Sequence, residues 1–182
     1  MFEKRERQLY FLYGSNANPQ QVAARGGLAE RVAVAKLADF RLAFFGHSGT
    51  WDGGEETVVE SPGDEVWGAL YRFSLGGSER FDAHQGVRLD GSGPYFHFSA
   101  EVVDVEGNRH RALVYRKDSC HEAGRPSSEL LAFVIEGARA QGVPPAHIAR
   151  LKAYDSVRAS YPVPKRGLVP LAFSCSACGG GG

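Results

Sequence analysis

The stretch FLYGSNANP at positions 11–19 decides how the rest of the chain is read. Phe11, Leu12 and Tyr13 close a short apolar run suited to a strand. Gly14-Ser15-Asn16 then turns the chain, and Asn18-Pro19 opens a helix over QQVAARG. Asn18 is a side-chain N-cap, Pro19 occupies the first turn where its missing N–H costs nothing, and Gly26 ends the helix. A strand that turns this tightly into a capped helix leaves backbone N–H groups without partners. Gly14 lets the backbone approach a ligand, while Ser15 and Asn16 add short polar side chains beside a helix N-terminus. The corner therefore suits a carboxylate or an oxyanion, and these N–H groups are expected to line the main cleft. It is not a phosphate loop, since G-x-x-x-x-G-K is absent. It is not a nucleophile elbow either, since Ser15 lacks the second Gly of G-x-S-x-G.

Outward from this corner, β-branched and aromatic alternation predicts strands at 9–13, 33–45, 57–60, 66–73, 95–106 and 110–115. The last two flank Glu106-Gly107-Asn108 and read as a hairpin. A short helix is expected over 78–84. The longest lies in PSSELLAFVIEGARAQG, where Leu130, Leu131, Val134, Ile135 and Ala138 share one face. Pro144-Pro145 opens another in AHIARLKAYDS. Strands come first and the longer helices follow, without βαβ alternation. That order predicts an α+β domain over 1–160, a small mixed or antiparallel barrel-like sheet with helices packed outside. Residues 161–182, rich in Pro and Gly, read as a tail.

The chain has 182 residues, 43% of them hydrophobic, with 21 Lys plus Arg against 21 Asp plus Glu. Zero net charge gives no basic footprint for nucleic acid or an anionic membrane. No apolar run is long enough for a transmembrane helix, and the charged start lacks a secretory core. Three cysteines do not make a disulfide framework, so a reduced, cytoplasmic protein is expected. Cys175-x-x-Cys178 lacks two further ligands nearby and is read as free thiols rather than a metal site. Glu55-Glu56 and Asp64-Glu65 read as solvated charges, and Trp51 and Trp67 as core.

Several ordered segments together carry more than any one: YFLYGSN, KLADFRLAFF, SPGDEVWGALYRF, FDAHQGV with Tyr95 soon after, and PSSELLAFVIEGA. Over positions 9–155 this set resembles the γ-glutamylcyclotransferase family, which opens with a strand and a Y-G-S-N loop. The resemblance implies a small barrel with a cleft lined by that loop. It also implies cleavage of a γ-glutamyl amide by its own α-amine, releasing 5-oxoproline and an amine. No cofactor or metal is implied, because the nucleophile belongs to the substrate and proximity removes much of the barrier. The implied partner is a small γ-glutamyl or amino-acid-derived molecule. Tyr13, Gly14, Ser15, Asn16 and Ala17 would hold it, with Tyr95 and the position of Leu130 also in contact.

Two positions depart from the family pattern. The family's acid/base Glu precedes Gly-Val, and here that residue is Gln85, whose amide cannot take a proton near pH 7. Where the family carries a substrate-contacting Tyr, this chain has Leu130, which cannot replace a phenol's hydrogen bond. Gln85 leaves three readings open. It is an engineered change that traps substrate in an otherwise ordinary enzyme, a mark of natural drift to a non-catalytic binding relative, or a sign that another group is the base and the substrate has changed. Asp82, one helical turn before Gln85, and His84, about 100° around the helix, are the candidates for that group.

Overall fold

The computed structural model describes residues 8–165. Five strands close into a barrel: β1 (Leu9–Leu12), β2 (Ala29–Ser48), β3 (Gly53–Phe73), β4 (Tyr95–Asp104) and β5 (Arg109–Lys117). Around the ring they run β1-β3-β2-β4-β5. All neighbours are antiparallel except β1 and β5, which pair in parallel with Leu9 opposite Ala112 and Phe11 opposite Val114. Four helices cover the ring: α1 (Pro19–Gly26), α2 (Leu75–Gln85), α3 (Ser128–Gln141) and α4 (Pro145–Lys152). This is the α+β barrel expected from the order of the elements.

The predicted strands at 57–60 and 66–73 are one long strand, β3, paired with an equally long β2. The gap read from Ser61-Pro62-Gly63-Asp64 is a bulge. Pairing stops at Phe40–Glu60 and resumes at Ala38–Glu65, so four residues of β3 stand opposite Asp39 alone. Asp39 takes a positive φ of 62° there, and its carboxylate accepts from the Gly63 N–H at 2.9 Å. Pro62 is tolerated because a bulge asks no ladder hydrogen bond of it.

Alternate residues of β1 point to opposite sides, and each side has its own cluster. Phe11 packs with Val58, Leu70 and Val114 and with Leu130, Val134 and Leu151 from α3 and α4. Tyr10 and Leu12 pack with Tyr71, Phe73 and Tyr115 and with Val22 of α1 and Phe81 of α2. Asn18 caps α1 as expected, its Oδ1 accepting from the Gln20 N–H at 3.0 Å. α3 presses on that corner so closely that a Cβ on Gly137 would lie 2.7 Å from the Asn18 Cα. Buried Gln141 at the end of α3 donates to the Ala17 carbonyl and to the Tyr71 hydroxyl, both at 2.7 Å. The corner after β1 is thus clamped from behind.

The chain beyond β5 returns to the barrel: Tyr161 Oη donates to the Gly49 carbonyl and the Lys165 N–H to the Thr50 carbonyl, each at 2.7 Å. Cys175 and Cys178 lie outside the described residues. Cys120 is a free thiol. Among the described residues no helix is long and apolar enough to cross a membrane.

Candidate active site

The corner is a 3-10 turn, Gly14–Ala17, that leads directly into α1. It holds a carboxylate, and the carboxylate belongs to the protein. Glu56 Oε1 and Oε2 accept from the Ser15 N–H at 2.8 and 2.9 Å, and the Ser15 hydroxyl donates to Oε1 at 2.6 Å. Gly14 makes this possible in two ways. Its φ of 58° lies in the left-handed region, and a Cβ at that position would stand 2.4 Å from Glu56 Oε2. The anion-holding character read from the corner is therefore realised by a residue the sequence reading set aside.

Glu56 corrects that reading. The pair Glu55-Glu56 reads in the sequence as solvated charges, yet Glu56 is only 8% exposed. Strand alternation at the barrel rim turns Glu55 to one side, where it pairs with Lys117, and Glu56 to the other, against the loop. Burial pushes the Glu56 carboxyl above the usual carboxylate range, while the Ser15 hydrogen bonds and the Arg25 charge pull it back.

A cavity of about 230 Å³ opens over this carboxylate, lined among others by Ser15, Arg25, Glu56, Gln85, Tyr95 and Leu130. That volume suits a small amide rather than a nucleotide or a peptide segment. Arg25 links its walls, donating to Asn16 Oδ1 at 3.1 Å and to Gln85 Oε1 at 2.9 Å. Gln85 thus meets the loop through Arg25. Tyr95 leans in from β4 and donates its hydroxyl to the Glu56 carbonyl at 2.7 Å, while Lys117 sits 5.4 Å from the centre of its ring. Leu130, 2% exposed, forms an apolar part of the floor.

The other loop residues stand behind the wall. Tyr13 is buried and donates to the Tyr115 carbonyl at 2.6 Å. Asn16 Oδ1 also accepts from Gln21 Nε2 at 3.0 Å. Of the two candidates beside Gln85, Asp82 is spent elsewhere: its Oδ1 accepts from the Tyr115 hydroxyl at 2.6 Å and contacts His97 Nε2 at 2.9 Å. His84 reaches the cavity rim, where burial and the Arg25 charge both lower its pKa. Arg25 and Glu56 escaped the sequence reading. Arg25 carries the signal of a lone cation in the last turn of a short helix, about two turns past the loop. Glu56 carries none, because its burial depends on how the rim of β3 curls.

Among the described residues no group of three His, Cys, Asp or Glu is placed to hold a metal ion.

The sequence profile of the AIG2-like family matches residues 65–151. Over 154 residues the chain is 33% identical to gamma-glutamylcyclotransferase of Homo sapiens, spanning 82% of this chain and 80% of that protein. A solved gamma-glutamyl cyclotransferase superposes with a TM-score of 0.80 at 33% identity, over 87% of this chain and 94% of that one. YkqA from Bacillus subtilis shares the fold, with a TM-score of 0.70 at 19% identity over 84% of this chain and 56% of that one. The closed barrel, with its cleft beside a strand–turn–helix corner, has the fold of the solved gamma-glutamyl cyclotransferase. The chain belongs to the γ-glutamylcyclotransferase family.

Proposed function

We propose that the protein cleaves a γ-glutamyl amide by intramolecular cyclotransfer, releasing 5-oxoproline and the free amine. The observation that carries this reading is the pairing of a buried carboxylate with a guanidinium across one small cavity. A γ-glutamyl amide carries an α-ammonium and an α-carboxylate on one carbon. Arg25 is the cation able to hold the carboxylate, and the acidic wall faces the ammonium. Held so, the glutamyl chain folds back and its amine meets the γ-carbonyl as an intramolecular nucleophile, a gain that needs no cofactor.

The bonds balance without outside reagents. The amine lone pair forms the C–N bond of the five-membered lactam as the amide C–N bond breaks. Two protons leave the attacking nitrogen and two are taken up by the departing one. Leu130 and Trp51 give the floor an apolar character suited to methylene groups. A cytoplasmic setting belongs to the same reading, supported by the free Cys120 thiol.

The test is 5-oxoproline release from a panel of γ-glutamyl amides with different leaving amines. Turnover of at least one, suppressed by Arg25→Leu, supports the reading. Binding without turnover across the panel would make the protein a ligand-binding relative instead.

A further inference from the structure

Proton transfer in this cleft needs a group that can change its charge, and on the helix α2 wall only His84, at the exposed rim, is such a group. Gln85 is an amide whose Oε1 is already held by Arg25 at 2.9 Å. Asp82 faces Tyr115 and His97 and is not among the residues lining the cavity. His84 lies exposed at the rim beside a guanidinium. Glu55 also lines the cavity, but its carboxylate is held in an ion pair by the Lys117 ammonium, which keeps it charged. Glu56 remains. It lies in the cavity wall, and the Ser15 N–H shared between its two oxygens, together with the Ser15 hydroxyl, fixes its carboxylate in one orientation. The charges agree with that assignment. A guanidinium in a cleft needs a counter-charge, Gln85 offers none, and the Arg25–Glu56 attraction fills the gap.

We infer that Glu56, which lines the same cleft as Gln85, is the catalytic acid/base of this chain. The inference rests on the cyclotransfer reading above. The Glu56 carboxylate takes a proton from the substrate's α-ammonium, which frees the lone pair for attack on the γ-carbonyl. It gives that proton to the amide nitrogen as the C–N bond breaks, then carries the second proton from the lactam nitrogen to the released amine in the same way, and ends as the carboxylate it began as. Burial makes the site suited to the task, because a carboxyl held toward its neutral form is a better acceptor near neutral pH. The charged and titratable groups that set its behaviour are Arg25 from α1, His84 from α2, Tyr95 from β4, Lys117 from β5 with its partner Glu55, and Tyr13 behind the loop.

The experiment measures 5-oxoproline release, with circular dichroism as the folding control, for wild type, Glu56→Gln, Gln85→Glu and the double variant. Glu56→Gln is expected to lower kcat by about 10²-fold or more. Gln85→Glu in that background is expected to restore at least a tenth of the wild-type rate, which no misfolded protein would do. Wild-type activity that survives Glu56→Gln overturns the inference and leaves the cyclotransfer reading standing. Wild type inactive on every amide overturns both. Should Glu56→Gln fail to fold, Gln85→Glu alone decides. If Glu56 is the base, a second carboxylate competes for Arg25 and slows the reaction. A gain of about 10²-fold from Gln85→Glu alone shows that Glu56 was not serving, and overturns the inference.

Discussion

The two halves of β3 each carry a carboxylate, and the two are held in opposite ways. In the second half, Glu65 accepts from Lys36 Nζ and Trp67 Nε1 at 2.8 Å each and from Arg150 at 3.1 Å. Those partners, Lys36 first, hold its pKa down to about 2. In the first half, Glu56 is gripped by neutral donors on the Ser15 turn, and burial moves its pKa upward. Glu65 is a permanent anion that binds β2 and α4 to the barrel. Glu56 is a carboxylate that burial pushes upward against the pull of Ser15 and Arg25. The same side chain, nine positions along one strand, becomes structural where cations surround it and exchangeable where an uncharged cradle does.

The sharpest way to break this contrast is Gly14→Ala. The new Cβ meets Glu56 Oε2 and the backbone must hold a positive φ. Together these are expected to cost about 2–4 kcal/mol and to expel the carboxylate from its cradle. Urea unfolding and 5-oxoproline release should fall together. An alanine variant as stable and active as wild type would show that the cradle is not needed.

His147 extends the comparison to a buried base. It is 5% exposed on α4, its Nδ1 has no partner, and burial pulls its pKa down to about 4. The unfolded chain binds this proton near pH 6.5 and the folded one only near 4, so stability is present above 6.5 and is lost as pH falls between them. The loss is expected to be about 2–3 kcal/mol. Unfolding curves at pH 7 and 4.5 should show it, and His147→Leu should flatten it. A wild-type stability that is level across this range would deny that burial, helped by the Arg150 charge, keeps the imidazole neutral.

Arg25→Leu sharpens the account of Glu56. Arg25 draws the Glu56 pKa down, so its removal lets that pKa rise further. The acid limb of the pH–rate profile should move up by about one unit or more, with about a tenfold loss of rate on that limb. An unmoved limb with a raised KM would restrict Arg25 to holding substrate.

The smallest effect belongs to Glu65→Gln. Its depressed pKa gives stability that is present above the ordinary carboxylate range and fades as pH falls toward 2. Because the network is partly open to solvent, about 1 kcal/mol or less is expected at pH 7. Turnover should not change, and a loss of turnover would couple the two halves of β3.

Much of the barrel was legible in the chain, for local reasons. Asn18-Pro19, Gly26 and the apolar face through Leu130 and Val134 are signals contained within a turn or two. The long strand β3 was not, because Pro62-Gly63 breaks the local pattern and only its partner Asp39 shows that the break is a bulge. At the site, the loop could be read as a place for an anion, since its unpaired donors follow from strand, turn and cap. The occupant could not. Glu56 and Ser15 are 41 positions apart and meet only through barrel closure.

The parallel seam between β1 and β5 also orders events in time. Its partners stand about a hundred residues apart, so ring closure carries one of the largest entropic penalties in the fold, while the β2–β3 and β4–β5 hairpins can form from neighbouring segments. A chain with both hairpins but with β1 not yet docked on β3 and β5 has strand content but no docked Ser15 turn, and Glu56 lacks its cradle. Catalytic competence should therefore return on refolding later than the far-ultraviolet signal of the strands. Simultaneous recovery of the two would place the seam early. The working cleft is on this account a product of the last step in the barrel's assembly, which makes turnover a reporter of ring closure.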